Sequence, residues 1–154
     1  MDDVARIDEA LLRMRRLWTH AVRPEVLAGD FHGRVELSHV LVVDAVRRGE
    51  GSGGEVTVRR VADELDVERS TASRLVDFAA RAGWVRTSSS ATDARRTVVE
   101  LTRAGRQLEE HARRFRRDHV ARLLGGWSEA DVRDLARLLD SFATAAAANP
   151  PRAT

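Results

Sequence analysis

The sequence predicts a mainly α-helical chain of six helices with one small β-hairpin, and three observations carry that reading. Apolar residues recur at spacings of three and four in six separate segments, a Gly-rich break divides the second from the third, and one stretch places two β-prone runs about a polar tip. With 154 residues, 43% of them hydrophobic, the chain fits one compact domain with a sizeable core.

Val4, Ile7, Leu11, Met14, Trp18 and Ala21 form a heptad-type seam, with Asp2 and Asp3 at its start and Arg13, Arg15 and Arg16 toward its end, as the helix dipole favours. Pro24 follows, then a polar connection through Asp30 and Gly33. Ser38 is the expected N-cap of a second helix carrying Val40, Leu41, Val43, Ala45 and Val46, apolar on most sides and therefore central. The helix is expected to stop near Gly49, because four of the six residues from Gly49 to Gly54 are Gly and the segment reads as a mobile loop.

Val56-Thr57-Val58 is a short strand candidate, and Thr57 is placed to cap a helix containing Val61, Ala62 and Leu65. A tight turn at Asp66-Val67 leads to a helix from about Arg69 to Ala82, closed by Gly83. Trp84 to Thr87, the polar tip Ser88 to Asp93, and Arg95 to Leu101 predict the hairpin, whose tip lacks an apolar anchor and should project outward. Thr102 caps a long helix with Leu108, Ala112, Phe115, His119, Leu123 and Trp127 on one face, ended by Gly125-Gly126. Ser128 to Asp131 resembles a capping box and opens a last helix whose Val132, Leu135, Leu139, Phe142 and Ala146 again keep heptad spacing before Pro150-Pro151.

Two short helices joined by a tight turn form a helix-turn-helix, and a hairpin directly after it is a wing, so the fold class is a winged helix-turn-helix. The heptad seams at the two ends of the chain can bury against each other and against a second copy, which predicts an intertwined homodimer. Residues 1–35 and 107–148 are assigned to a helical dimerisation region and residues 36–106 to a DNA-binding region.

On the helix from Arg69, Ala72, Leu75, Val76 and Ala79 share one arc, while Ser70, Ser73, Arg74 and Asp77 lie opposite. That outer face is either an ordinary solvated surface or a base-reading surface, in which Arg74 takes guanine O6 and N7 and Ser70, Thr71 and Ser73 reach bases or phosphate. Charge distribution tilts the balance. All 26 basic residues are Arg and the formal net charge is only +2, yet Arg69 to Arg106 holds eight Arg against three acids, and the rest of the chain is slightly acidic. A basic stripe confined to the second helix of the motif and the wing is the expected footprint of phosphate binding.

Val61-Ala62, Leu65, Val67 and the run Ser70 to Asp77 resemble the helix-turn-helix of MarR-type regulators, and Asp93-Ala94-Arg95, followed after five residues by Leu101-Thr102 and then Ala104-Gly105-Arg106, resembles that family's wing signature. The resemblance covers nearly the whole chain, most closely from Val56 to Arg106. It implies a dimeric transcriptional regulator, typically a repressor, on a palindromic operator of double-stranded DNA, with recognition helices in successive major grooves and wings at the flanking minor grooves. Carried over, Arg69, Ser70, Thr71, Ser73 and Arg74 would face the groove, Arg95 would approach the minor groove held by Asp93, and Arg96 would reach phosphate or the groove edge. Asp66 stands where the family usually has Gly, Glu68 where it has a Ser or Thr cap, and Arg60 where an acid would complete a capping box from Thr57.

Other chemistries are weakly signalled. The five His do not cluster at ligand spacing, and no metal site or cofactor is expected. The absence of Cys removes thiol switching. The run Arg113-Arg114-Phe115-Arg116-Arg117 reads as a solvated helix face or as attraction for an acidic molecule in a dimer crevice. Trp18, His20, His39 and Phe115 are candidates to line such a crevice for a small acidic or aromatic effector, although aromatic residues at helical spacing are commonly core. No phosphate loop, nucleophile elbow or paired-carboxylate pattern points to an enzyme. With no apolar run of about 20 residues and no signal-like start, a cytoplasmic protein is expected. The alternative is an architectural, nucleoid-type DNA binder without an effector.

Overall fold

A computed structural model describes residues 2–20, 31 and 35–149, the side chains of 15–20 excepted. The expected connection through Pro24, Asp30 and Gly33, and the closing Pro150-Pro151, lie outside the described residues. Among those described, six helices and one hairpin follow in order: α1 (Asp3–His20), α2 (Leu37–Gly51), α3 (Val58–Leu65), α4 (Arg69–Arg81), β1 (Val85–Ser89), β2 (Thr97–Leu101), α5 (Arg103–Leu123) and α6 (Glu129–Ala148). The mainly α winged helix-turn-helix predicted from the sequence is the observed fold. The chain divides into two compact units, Met1–Arg116 and Arg117–Thr154.

In the first unit, α1 opens on Asp2, whose Oδ1 accepts from the Ala5 backbone N–H at 2.7 Å. Its seam stays open, with Val4 76% and Ile7 50% exposed. Helix α2 begins earlier than Ser38 suggests. Glu36 is the N-cap, and its backbone N–H donates to His39 Nδ1 at 3.1 Å, so a side chain inside the first turn closes the cap. The helix also runs past Gly49 to Gly51, correcting the expected loop. Gly49 is there for space, since a Cβ on it would meet both Val56 methyl groups at 3.0 Å. The break falls instead at Gly53 and Gly54, both with φ near +80°.

The expected strand at Val56 to Val58 reduces to a single bridge, Thr57 opposite Val98, with the Val99 N–H donating to the Val56 carbonyl at 2.7 Å. Val58 already belongs to α3, because the Thr57 hydroxyl accepts from Arg60 N at 3.3 Å and caps the helix there. Asp66 ends α3 in the left-handed conformation (φ 53°, ψ 50°), occupying the turn without Gly. The core gathers Val40, Val42, Val43 and Val46 of α2 with Val61, Val76, Ala79, Val99 and Leu108, and burial of each such valine or leucine stabilises by about 1.5–3 kcal/mol.

The hairpin is antiparallel, pairing Val85 with Leu101 through Ser89 with Thr97. Its base is locked to α5. Thr102 Oγ lies 2.7 Å from the Gly83 carbonyl and accepts from the Gly105 N–H at 3.0 Å, and a Cβ on Gly105 would stand 1.9 Å from the Trp84 carbonyl oxygen. No side chain larger than hydrogen fits that crossing.

In the second unit, α5 ends at Leu123 and Trp127 lies beyond it, outside the helical face expected for it, because the chain turns at Leu124 to Gly126. Ser128 Oγ caps α6 from Asp131 N at 3.1 Å, while the Asp131 carboxylate takes the Ser128 hydroxyl rather than its backbone, so only half of a capping box forms. No residue of α6 is buried; Leu139 is 44% and Phe142 47% exposed.

Candidate nucleic-acid interface

Helix α4 turns Ala72, Val76 and Ala79 into the core and leaves Arg69, Ser70, Arg74 and Asp77 exposed, as its periodicity requires. Ser73 and Thr71 are half-buried at the edges of that face. Glu68 is the N-cap and makes no side-chain cap bond; its carbonyl accepts from the Thr71 N–H at 2.9 Å, and its side chain leaves the Arg69 and Ser70 N–H groups untouched.

The hairpin tip is organised by polar groups that are distant in sequence. Ser90 is buried, its hydroxyl donates to Glu55 Oε2, and Glu55 Oε1 accepts from the Ala91 N–H at 3.1 Å. Ser90 Oγ also receives the N–H groups of Thr92 (3.1 Å) and Asp93 (3.2 Å). The tip thus does have an anchor, a carboxylate from the segment before α3. Sequence reasoning missed Glu55, because nothing local relates two residues 35 positions apart.

Asp93 acts differently from the expectation drawn from the wing signature. Its Oδ1 accepts from the backbone N–H of Arg95 at 3.0 Å, and its Oδ2 pairs with the guanidinium of Arg96 at 3.2 Å. Asp93 therefore shapes the turn under Arg95 and holds the side chain of Arg96, leaving the Arg95 guanidinium without a carboxylate. An exposed pair of this kind contributes little stability, about 0–1 kcal/mol, so Arg96 can exchange partners easily.

Between the start of α3, the start of α4 and the wing lies an open cleft of about 410 Å³. Arg69 and Ser73 line it from α4, and Asp93, Arg95 and Arg96 from the wing; Thr57 and Arg59 close it from the α3 side. Arg74, Ser70 and Thr71 are not among its lining residues, so the structure separates the expected readers into a cleft group and an outer helical face. Arg59 escapes a sequence reading that counts charge from Arg69 onward; the signal available was its place two residues after the Thr57 cap. Among the described residues the guanidinia of Arg59, Arg69, Arg74 and Arg95 hold no carboxylate.

The dense Arg113 to Arg117 run is largely neutralised within the molecule. Arg113 pairs with Glu109, Arg114 with Glu110, and Arg116 with Asp44 at 2.8 Å. Glu109 is buried, with Arg47 at 3.1 Å and Arg113 at 3.5 Å from the same oxygen, an electrostatic pairing outside hydrogen-bond geometry.

Of the candidate effector residues, only His39 and Phe115 have described side chains. The side chains of Trp18 and His20 lie outside the described residues, Phe115 is half-buried, and His39 is 2% exposed in the core, stacked on Phe78 at 4.6 Å. Burial lowers the His39 pKa, opposed by the nearby Glu36 charge, so the ring is neutral at pH 7. Among the described residues no group of His, Asp or Glu forms a metal cluster, and no helix is long and apolar enough to cross a membrane.

The MarR family model matches residues 35–96. FabT of Streptococcus pneumoniae, solved in complex with DNA, shares 22% identity and a TM-score of 0.72 over 92% of this chain and 96% of its own. RV1404 from Mycobacterium tuberculosis shares 23% identity and a TM-score of 0.69 over 99% of both chains. BpsR of Bordetella bronchiseptica, studied for regulation of its DNA binding by 6-hydroxynicotinic acid, shares 17% identity and a TM-score of 0.64 over 92% of this chain and 99% of its own. At these identities the likeness is one of fold; no curated protein matches the sequence. The family match spans α2, the helix-turn-helix and the wing tip, and the fold match spans more than nine-tenths of the chain, so residues 35–96 are similar to the MarR family and the chain has the winged helix-turn-helix fold of the structures it resembles.

Proposed function

We propose that the protein is a cytoplasmic repressor that binds a palindromic operator as a homodimer. The observation that carries this reading is the pairing pattern of the arginines. Among the described residues, Arg69, Arg74 and Arg95 at the recognition helix and wing tip are free of carboxylates and Arg96 is loosely held, while Arg113, Arg114 and Arg116 of the dense run on the body are paired to Glu109, Glu110 and Asp44. In this reading Arg74 contacts a guanine edge, Ser70, Thr71 and Ser73 read bases or phosphate, Arg69 holds the backbone, and Arg95 enters the minor groove while Asp93 orders its turn.

Dimerisation rests on the open heptad seams. Val4, Ile7 and Leu11 of α1 and Leu139 and Phe142 of α6 are exposed at helical spacing, and apolar stripes of that kind need a partner surface. Residues 1–35 and 107–148 are accordingly the proposed dimerisation region and 36–106 the DNA-binding region.

An acidic or aromatic small molecule is proposed as effector, with Trp18, His20, His39 and Phe115 as contributors. His39 Nδ1 accepts from Glu36, which leaves the ring proton on Nε2, and both His39 Nε2 and Trp84 Nε1 are buried without an acceptor. Two such donors favour a ligand that brings oxygen acceptors. The likeness to BpsR, whose DNA binding is regulated by 6-hydroxynicotinic acid, supports the same class. The protein acts by binding, without catalysis.

The test is selection of binding sites from random duplex DNA, with the mass of free protein measured by light scattering. An inverted repeat with half-sites about one helical turn apart is expected, from a protein of twice the chain mass. Enrichment of no sequence would overturn the operator reading in favour of an architectural binder, and a well-folded monomer would overturn the dimer.

A further inference from the structure

We propose that the cleft between α3, α4 and the wing is a preformed seat for a single phosphodiester of the DNA backbone, held jointly by Arg59 and Arg69. The inference rests on the DNA-binding reading above and adds a residue, Arg59, that lies outside both the recognition helix and the wing.

Two helices begin at this cleft. The Thr57 hydroxyl is committed to Arg60 N, while Val58 and Arg59, which carry earlier first-turn N–H groups of α3, line the cleft wall. On α4 the cap residue Glu68 leaves its side chain unbonded to the helix, and Arg69 and Ser73 line the opposite wall. Open helix N-termini with a guanidinium and a hydroxyl beside them match the geometry of a phosphate oxygen acceptor. The acids nearby do not pre-empt the seat. Asp93 is engaged by Arg96, and Asp63, Asp66 and Glu68, which border the far side of Arg59 and Arg69, form no ion pair with either.

Those three acids also bear on the source of the anion. They lower the local potential for a small free ion, whereas a backbone phosphate is delivered by contacts made elsewhere, so the seat takes duplex DNA and fixes the register between recognition helix and wing. Because Arg59 and Arg69 share one phosphate, their contributions are coupled.

The experiment compares wild type, Arg59→Ala, Arg69→Ala, the double variant and Arg59→Lys on the selected duplex and on unrelated duplex across a salt series. Expected for Arg59→Ala are equal proportional losses of affinity on both duplexes and a salt slope shallower by about one phosphate per half-site, with the slope restored by Arg59→Lys. The double variant should lose less than the product of the single losses. Scanning the selected duplex with single neutral methylphosphonate linkages should find one position per half-site that weakens wild type, weakens Arg59→Ala less and leaves the double variant unaffected. An unchanged slope for Arg59→Ala, with DNA binding by wild type intact, overturns the seat alone; failure of wild type to bind any duplex overturns the DNA reading with it. Competition by inorganic phosphate at constant ionic strength, lost in Arg59→Ala, would make the cleft a free-anion site and overturn the backbone assignment.

Discussion

Asp93 pairs with Arg96 at 3.2 Å and not with the guanidinium of Arg95, although Arg95 is the residue of the wing signature. One carboxylate thus does two things: it fixes the backbone of the turn through Arg95 N–H and neutralises the next side chain. Arg95→Ala should therefore weaken binding most on operators with A·T-rich flanks, where a narrow groove concentrates negative potential. Asp93→Ala should free Arg96, raise affinity for unrelated DNA and steepen the salt slope by about one per protomer. Equal losses for Arg95→Ala on A·T-rich and G·C-rich flanks at one salt concentration would make it a plain phosphate contact.

Arg74 is exposed and unpaired on the outer face of α4, so its removal should leave thermal unfolding unchanged. A bidentate base contact contributes about 1–3 kcal/mol. Arg74→Ala should relax preference at one base pair per half-site, read by repeating the selection with the variant; an unaltered preference contradicts the assignment.

Glu55 holds the wing tip through Ser90 and Ala91. Glu55→Ala leaves the buried Ser90 hydroxyl without its carboxylate, a change worth about 1–3 kcal/mol. Amide exchange should speed up from residue 90 to 97 while core amides of α2 stay protected. Uniform exchange across the fold would show that Glu55 supports global stability instead.

Gly105→Ala places a methyl 1.9 Å from the Trp84 carbonyl oxygen, which is backbone and cannot swing aside. The cost should be about 4 kcal/mol or more, at the upper end of single substitutions. Denaturant titration of this variant against Gly51→Ala, where a Cβ meets nothing within 4 Å, separates the steric effect from a general intolerance of alanine for glycine.

His39 titrates below its ordinary value of 6.5 because it is buried, partly offset by Glu36. The unfolded chain therefore takes up this proton first as pH falls, and the stability contributed by the neutral ring, fully present above about pH 6.5, is lost as pH drops toward the folded-state pKa. Wild type should lose more stability than His39→Phe between pH 7 and pH 5, measured by urea midpoints in matched buffers. Parallel curves would remove His39 as the titrating group.

Local chemistry alone determined much of this protein. The arc of Ala72, Val76 and Ala79, the Thr57 and Ser128 caps, the turn at Asp66 and the stop at Gly83 each depend on residues within one or two turns, so periodicity and capping identified them from sequence. Where a residue answered to a distant neighbour, sequence reading failed. Gly49 and Gly51 read as a break, yet α2 continues because Gly49 makes room for Val56. The wing tip read as lacking an apolar anchor, and the polar one it has, Glu55, lies 35 residues away and was not foreseen. Asp93 chose Arg96 over Arg95 through the geometry of its own turn, which the hairpin sets, and Arg59 reached the same cleft as Arg69 through the relative placement of the helices. Caps and amphipathic faces are set by covalent spacing along one helix, whereas ion-pair choice and cleft membership depend on distances between elements, which only the packed core establishes.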